Sequence, residues 1–499
     1  MSASPGTGLE ELSFFIGGEF VSSRGDSLIE SVNPYTGRAW ATVPSGTQAD
    51  VDRAVRAARD AFEGPWGAMT GTARAGIMRR FSQLIVANSD MLGRVESTDN
   101  GKLLKETTGV THNLARWLDY FSGAAERLTG QTIPAGNPNY LAYTQRVPIG
   151  VVGAVVPWNA PMMLLMMKVA PALAAGCTLV VKTAEQTTAS ALQLARLAQE
   201  AGLPPGVLNI ITGEGSTTGR ALVSHPGIDK VSFTGSTASG IRVMQDAATH
   251  LAPVTLELGG KSANLVFEDA DIEAAINGVV ASVFAATGQM CIAASRLYVH
   301  HSILDDFVSR LVQRAAEIRL GDPMSPESDI GPLATKEQLV RVLSMIDEAQ
   351  VEGAELATGG RRPDTPGLKD GFFITPTIFT NVDPSMRIAR EEIFGPVLAV
   401  FPFSTEAEAV QLANSTPYGL AGGIWTQNLQ RAHRVAAGLR AGTVWINCYR
   451  VVDPAVPFGG MGASGFGREN GDEAVVSYTQ TKSVWVELSG NTRDPFKMG

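Results

Sequence analysis

Residues 151–183, VVGAVVPWNAPMMLLMMKVAPALAAGCTLVVKT, carry the pattern that decides the fold. The run 151–156 is apolar and rich in valine, which reads as a strand buried on both faces, and 178–182 repeats it. Between them, 162–175 is apolar all round and long enough for a buried helix. The stretch 162–181 has the length of a membrane span, but Lys168, Pro171 and Gly176 interrupt it. A buried helix followed by a buried strand is therefore the reading adopted.

The alternation continues outward. Strands are expected at 207–212, 229–233 and 253–258, with helices at 189–201, 216–224 and 237–248. Apolar strands joined by helices specify a parallel sheet covered on both faces, and right-handed crossovers make it a doubly wound, Rossmann-like α/β nucleotide-binding fold. A second alternating set runs through 264–267, 272–285, 296–300, 304–318, 336–352 and 397–403. The pair Gly259-Gly260, directly after a strand, marks the expected boundary between the two sets.

Towards the N-terminus, 14–21 and 31–43 read as short strands. A helix over 50–62 has Val51, Ala54, Val55, Ala58 and Phe62 on one stripe and its cap at Thr47 and Asp50. Helical texture returns at 72–90 and 100–127. Two extended runs, 140–147 and 483–488, look like ribbons that need another sheet or subunit to be stable.

A chain of 499 residues exceeds one ordinary core, and 44% hydrophobic with 18% charged residues reads as soluble and globular. The net charge of -9 supplies no dominant positive field for nucleic acid or a membrane surface. Cys177, Cys291 and Cys448 form no CxxC pair and leave at least one thiol free, a usage suited to a reducing compartment. The opening MSASPGTGLEEL lacks the basic and apolar regions of a secretory leader, so a cytoplasmic location is expected.

The segment 285–296, AATGQMCIAASR, sets Cys291 between Met290 and Ile292. Cysteine attacks as thiolate, and an ordinary pKa of about 8.5 means that a reactive one needs a base or a favourable field. On this segment alone a small buried hydrophobe is the competing reading. Glu257 ends an apolar strand, which suits either a general base of raised pKa or an ion pair with Lys261. Asn159, also after a strand, could offer an amide donor to an oxyanion or simply make a turn. The loop TGEGSTTG at 212–219, containing Gly215, and the FTGS segment, with Gly235 and Ser236, sit where phosphate contacts or turns and caps both occur. In KTAE, Glu185 can accept from ribose hydroxyls and would repel a 2′-phosphate, which favours NAD over NADP.

PWNAP, KTAE, FTGS, LELGGKS, GQMCIAASR and EEIFGPV follow one another between an early NPYTG and a late PFGGMGASGFGREN. In order and approximate spacing the chain resembles the aldehyde dehydrogenase superfamily over nearly its whole length. The resemblance implies an NAD-binding domain (1–127 and 149–258), a catalytic domain (259–476) and a small β oligomerisation ribbon (128–148 and 477–499), in a homodimer or homotetramer. It implies NAD-dependent oxidation of an aldehyde to the acid, with Cys291 as nucleophile and Glu257 as general base. Asn159 and the Cys291 backbone N–H match the oxyanion hole. Cofactor contacts are implied at Trp158, Lys182, Glu185, Gly215, Gly235, Ser236, Leu258, Glu392 and Phe394. Of these, Lys182 and Glu185 correspond to the adenosine ribose, Ser236 to the pyrophosphate and Glu392 to the nicotinamide ribose, with Phe394 near the nicotinamide. No metal is implied. Lys168 sits at a characteristic position and is assigned a structural role.

Thr183 stands where proline is common, which changes little because Lys182 and Glu185 remain; the other departures concern the tunnel, where Ala160 and Met167 replace frequent aromatics. With Met163, Met290, Ile292, Val452 and Phe458 they imply a wide, adaptable, apolar passage. Arg450 reads either as a solvated surface arginine or as a contact to a polar or anionic substrate end. A cofactor-independent cysteine esterase leaves the nucleotide motifs unexplained, a non-enzymatic protein of this fold leaves the chemical residues unexplained, and Glu257 favours hydrolysis over transfer to CoA.

Overall fold

A computed structural model describes residues 9–491 and 494–496. Residues 1–8, where the leader was sought, and 492–493 and 497–499 of the ribbon segment lie outside the described residues.

The valine-rich runs form five parallel strands: β1 (Val151–Val155), β2 (Thr178–Thr183), β3 (Leu208–Thr212), β4 (Lys230–Thr234) and β5 (Val254–Glu257). Their order across the sheet is β5-β4-β1-β2-β3. Side chains alternate between two cores, as a pleated strand requires. Val151, Val180 and Ile211 pack beneath helix Gln48–Glu63, through Val51, Ala54, Val55 and Ala58. Val152, Leu179, Val181 and Ile210 face the opposite way, towards helices Pro161–Ala175 and Ala189–Glu200. The expected cap of the first helix is present. Thr47 N–H donates to Asp50 Oδ2 at 2.9 Å, while the Thr47 hydroxyl accepts from the Asp50 N–H.

The chain runs from β1 outward to β3 and then crosses back to β4, so β1 and β4 are neighbours whose connections leave in opposite directions. That switch point opens a crevice at the carboxyl ends of the strands. PWNAP follows β1 and FTGS follows β4, which brings both motifs to the crevice.

Antiparallel additions extend both edges: one lies in the strand read at 14–21, whose pairing the sequence did not show, and the other was not read at all. Phe14–Ile16 pairs with β3, and Gly465–Phe466 pairs with β5, setting Glu257 opposite Gly465. The second sheet has seven strands, in the order Glu355–Thr358, Thr377–Thr380, Val397–Phe403, Arg296–His300, Ala263–Val266, Ala421–Trp425 and Thr443–Ile446. All pair in parallel except the first. The two ribbons pair with each other: Tyr140–Pro148 runs antiparallel to Thr479–Glu487 over nine residue pairs. Tyr140, Leu141, Trp485 and Val486 stay exposed on it.

The helix expected over 100–127 spans only Leu104–Ala125, because a separate helix, Ser89–Asn100, ends at left-handed Gly101, and two further helices are cut by turns. Over 216–224, only Arg220–Val223 is α-helical, and Gly215–Gly219 makes a wider turn pinned by the Thr218 hydroxyl donating to the Gly46 carbonyl. The helix expected over 272–285 ends at Val283, because Ala286 and Thr287 adopt left-handed backbone. No described helix is long and apolar enough to cross a membrane.

Candidate active site

The left-handed pair at Ala286 and Thr287 turns the chain sharply ahead of Cys291. Thr287 Oγ1 donates to the Gly331 carbonyl at 2.9 Å. Gly288 follows with φ +70°, where a Cβ would lie 2.2 Å from the Gly395 carbonyl oxygen, so the packing requires glycine. Cys291 emerges half-buried at the wall of a 530 Å³ cavity between the two sheets.

That cavity gathers Trp158 and Asn159 from the end of β1, Gly235, Ser236 and Thr237 beyond β4, and Glu257, Leu258 and Gly259 from the end of β5. Glu392 and Phe394 close its other side. Trp158 and Phe394 meet edge to face with ring centres 5.2 Å apart. Ser236 caps helix Thr237–Ala248, accepting from the Ser239 N–H at 3.2 Å, so a helix N-terminus opens onto the cavity. Asn159 Nδ2 donates to the Gln289 carbonyl at 2.9 Å, two residues before the thiol.

Both Glu257 carboxylate oxygens are buried without a hydrogen-bond partner, and so is Lys261 Nζ. The ion pair that their spacing allowed is therefore not made. Burial holds the Glu257 carboxyl well above its ordinary range, helped by the nearby Glu469 charge and opposed by Lys168. Burial also pushes the Cys291 thiol up to about 12, with the Glu257 and Glu392 carboxylates adding to the effect. The backbone N–H groups of Ile292 and Cys291 work against it by donating towards sulfur. Glu392 is raised to about 7, chiefly by burial, and accepts from the Gly260 N–H at 3.1 Å. A Cβ on Gly259 would lie 2.2 Å from Glu392 Oε2, so the missing side chain makes room for that carboxylate.

Lys168 is buried in an ion pair with Glu469, Nζ to Oε1 2.6 Å, and donates to Ser232 at 3.1 Å. The short strand Gly465–Phe466 brings Glu469 back to this position.

Other expected residues lie elsewhere. Lys182 and Glu185 form an ion pair at 2.9 Å at the carboxyl end of β2, and Gly215 is exposed at the wide turn after β3; none of the three is on the cavity wall. Met163, Met290 and Val452 are half-buried and pack against the same core as Cys291, in which Met167, Ile292 and Phe458 are buried. Arg450 is half-buried, not a freely solvated arginine.

The cavity also contains residues that the sequence reading did not single out. Thr234 and Thr237 flank Ser236 in a recognised segment, so adjacency was their signal. Gln338 and Arg341 come from helix Lys336–Val351 and carried none. Gln338 Nε2 donates to the Phe394 carbonyl at 2.8 Å and Arg341 to that of Glu392 at 3.0 Å, holding the loop that presents both.

A nucleotide-type switch-point crevice joined to a thiol, an unpartnered carboxyl and an amide donor defines a two-sheet α/β enzyme with a cysteine at its centre. The comparisons specify it further. Residues 20–484 match the model of the aldehyde dehydrogenase family, and the chain belongs to that family. It is 47% identical over 477 residues to aldehyde dehydrogenase 1 of Tanacetum cinerariifolium, covering 95% of each chain. With the cytosolic aldehyde dehydrogenase 1 of Rattus norvegicus it shares 43% identity over 486 residues, 96% of each. The solved NAD+ complex of an aldehyde dehydrogenase from Bacillus cereus is 45% identical and superimposes with a TM-score of 0.94, covering 96% of this chain and 97% of that one.

Proposed function

We propose that this enzyme oxidises an aldehyde to its carboxylic acid with NAD, through a thioester on Cys291. The observation that carries the reading is the meeting of Cys291 and the unpartnered Glu257 carboxyl at one cavity of the nucleotide crevice. The residues present suit the cofactor: a capped helix N-terminus at Ser236 can face its phosphates. Glu392, given room by Gly259, can accept from a ribose, and the Trp158–Phe394 pair lies beside the place for the nicotinamide. Lys182 and Glu185 are assigned to the adenosine ribose, and the Glu185 charge favours NAD over NADP. Gly215, Gly235 and Leu258 are assigned to the walls of that groove. NAD bound there supplies the hydride acceptor.

Cys291, once deprotonated, adds to the aldehyde carbon. The developing oxyanion takes hydrogen bonds from the Asn159 amide and the Cys291 backbone N–H. Loss of hydride leaves an acyl thioester on the sulfur. Glu257, as carboxylate, removes a proton from water as the water attacks the acyl carbon; the C–S bond breaks and the acid departs. The methionine-rich set around Cys291, with Ile292, Val452 and Phe458, forms the substrate walls.

The chain is read as three units, 1–127 with 149–258, 259–476, and the ribbon 128–148 with 477–499. The exposed apolar ribbon residues suit a homodimer or homotetramer, and the cytoplasm suits the free thiols. An aldehyde panel followed by nicotinamide absorbance, with NAD and NADP in parallel, tests the reaction. Aldehyde-dependent reduction, faster with NAD, is expected; no reduction with any aldehyde refutes it.

A further inference from the structure

Resting on that reading, we propose that Arg450 selects aldehydes that carry a carboxylate at the end remote from the reacting carbon. The product is then a dicarboxylate.

The loop bearing Arg450 is tied to the nucleophile's own loop. Tyr449, immediately before it, donates its hydroxyl to the Ile292 carbonyl at 2.8 Å, and Trp445 Nε1 donates to the Val451 carbonyl at 3.0 Å just after it. Between these anchors Arg450 adopts φ +66°, a left-handed backbone uncommon for arginine. Non-glycine residues in such conformations persist where surrounding contacts enforce them, often at ligand sites.

The charge at Arg450 is unmatched. Among the described residues no carboxylate lies within 4.0 Å of its guanidinium, which makes one long hydrogen bond, Nη1 to the Ala281 carbonyl at 3.4 Å. Asp453, three residues on, is already paired with Arg116 at 2.6 Å. Lys102 is half-buried and its ammonium also lacks an ion pair within that distance. It feels the like charge of Arg450 and lies within electrostatic reach of Glu96, Glu106 and Cys291. Of those acids, Glu96 accepts from the Met162 N–H at 3.1 Å at the start of helix Pro161–Ala175.

The pull of Glu96 and Glu106 on Lys102 outweighs the push of Arg450, so the charge left unmatched beside the nucleophile's loop is that of Arg450. A carboxylate matches the fork of a guanidinium and supplies the missing countercharge. An ammonium tail would set a second positive charge against Arg450. A neutral tail would take water from Arg450's donors without replacing its hydrogen bonds.

The test is kcat/KM with NAD for three aldehydes of equal chain length, ending in a carboxylate, its methyl ester or an ammonium group. Wild type should prefer the carboxylate to the ester by about tenfold or more. Arg450→Gln should bring that ratio towards one, and Arg450→Glu should make the ammonium tail the best of the three. Each ratio compares substrates on one enzyme preparation, so partial loss of folded protein cancels. A wild-type ratio near one, or a ratio unchanged in Arg450→Gln, overturns the assignment. If wild type oxidises none of the three, this assignment fails; the dehydrogenase reading fails with it only if the wider aldehyde panel is not oxidised either.

Discussion

On the proposed mechanism, replacing Glu257 with glutamine separates the two halves of the reaction. The side chain keeps its shape, and because neither carboxylate oxygen has a protein partner, no hydrogen bond is broken. What disappears is the proposed base. A positioned general base contributes roughly 10²–10⁴ in rate, or about 3–5 kcal/mol of barrier. In rapid mixing with aldehyde and excess NAD, the variant should produce a burst of about one equivalent of reduced cofactor per site. Steady turnover should then be slower than wild type by roughly that factor. Folding should not suffer. The Glu257 pKa is raised in the folded state, so the unfolded chain releases its proton first and this group's contribution to stability falls as pH rises above the ordinary carboxyl range. Glutamine removes that loss, and the variant should be at least as stable as wild type at pH 8. Steady turnover close to the wild-type rate would falsify the assignment, as would a first turnover slowed as much as the later ones.

Burial raises both the Cys291 thiol and the Glu257 carboxyl, and each must be an anion to act, so kcat/KM should rise from about pH 6 to 9; a flat or falling profile contradicts this. Gly259→Ala would place a methyl 2.2 Å from Glu392 Oε2 and displace that carboxylate. The KM for NAD should then rise about tenfold or more, the order expected for a lost charge-assisted hydrogen bond, and an unchanged KM removes Glu392 from cofactor binding. Lys168→Met leaves Glu469 buried and unpaired, at a cost of about 3–5 kcal/mol in urea unfolding. Adding Glu469→Leu should recover most of that loss; a single variant as stable as wild type shows that the pair contributes little.

The parallel core was legible because its strands are continuous apolar runs bounded by helices of plain amphipathic or apolar texture. Strand Ala421–Trp425 was not: two of its five residues are glycines, required where a Cβ on Gly423 would meet Asn264 Oδ1 at 2.0 Å. Gly465–Phe466 is too short for any periodic signal, yet it caps the sheet beside Glu257. The candidate residues Trp158, Asn159, Gly235, Ser236 and Glu257 were legible in compact motifs whose strand ends bring them to one cavity, whereas Lys182, Glu185 and Gly215 lie off its wall. Gln338 and Arg341 lie on an ordinary amphipathic helix and matter through the loop they hold. The Glu257–Lys261 alternative depended on direction, which spacing alone does not supply. Lys261 is felt by Glu392, whereas Glu257 is felt by Glu469 and Lys168. Arg450 was ambiguous for a similar reason, because its burial depends on how Tyr449 and Trp445 bind the surrounding loops.

The central claim is a covalent bond between substrate and Cys291. Peptide mapping of acid-quenched Glu257→Gln enzyme, taken after the burst with an isotopically labelled aldehyde, measures it directly. The label is predicted as an acyl group on the peptide containing Cys291, requiring NAD and absent in Glu257→Gln/Cys291→Ala. Label on another residue, or a burst of reduced NAD with no acylated peptide, would contradict the account.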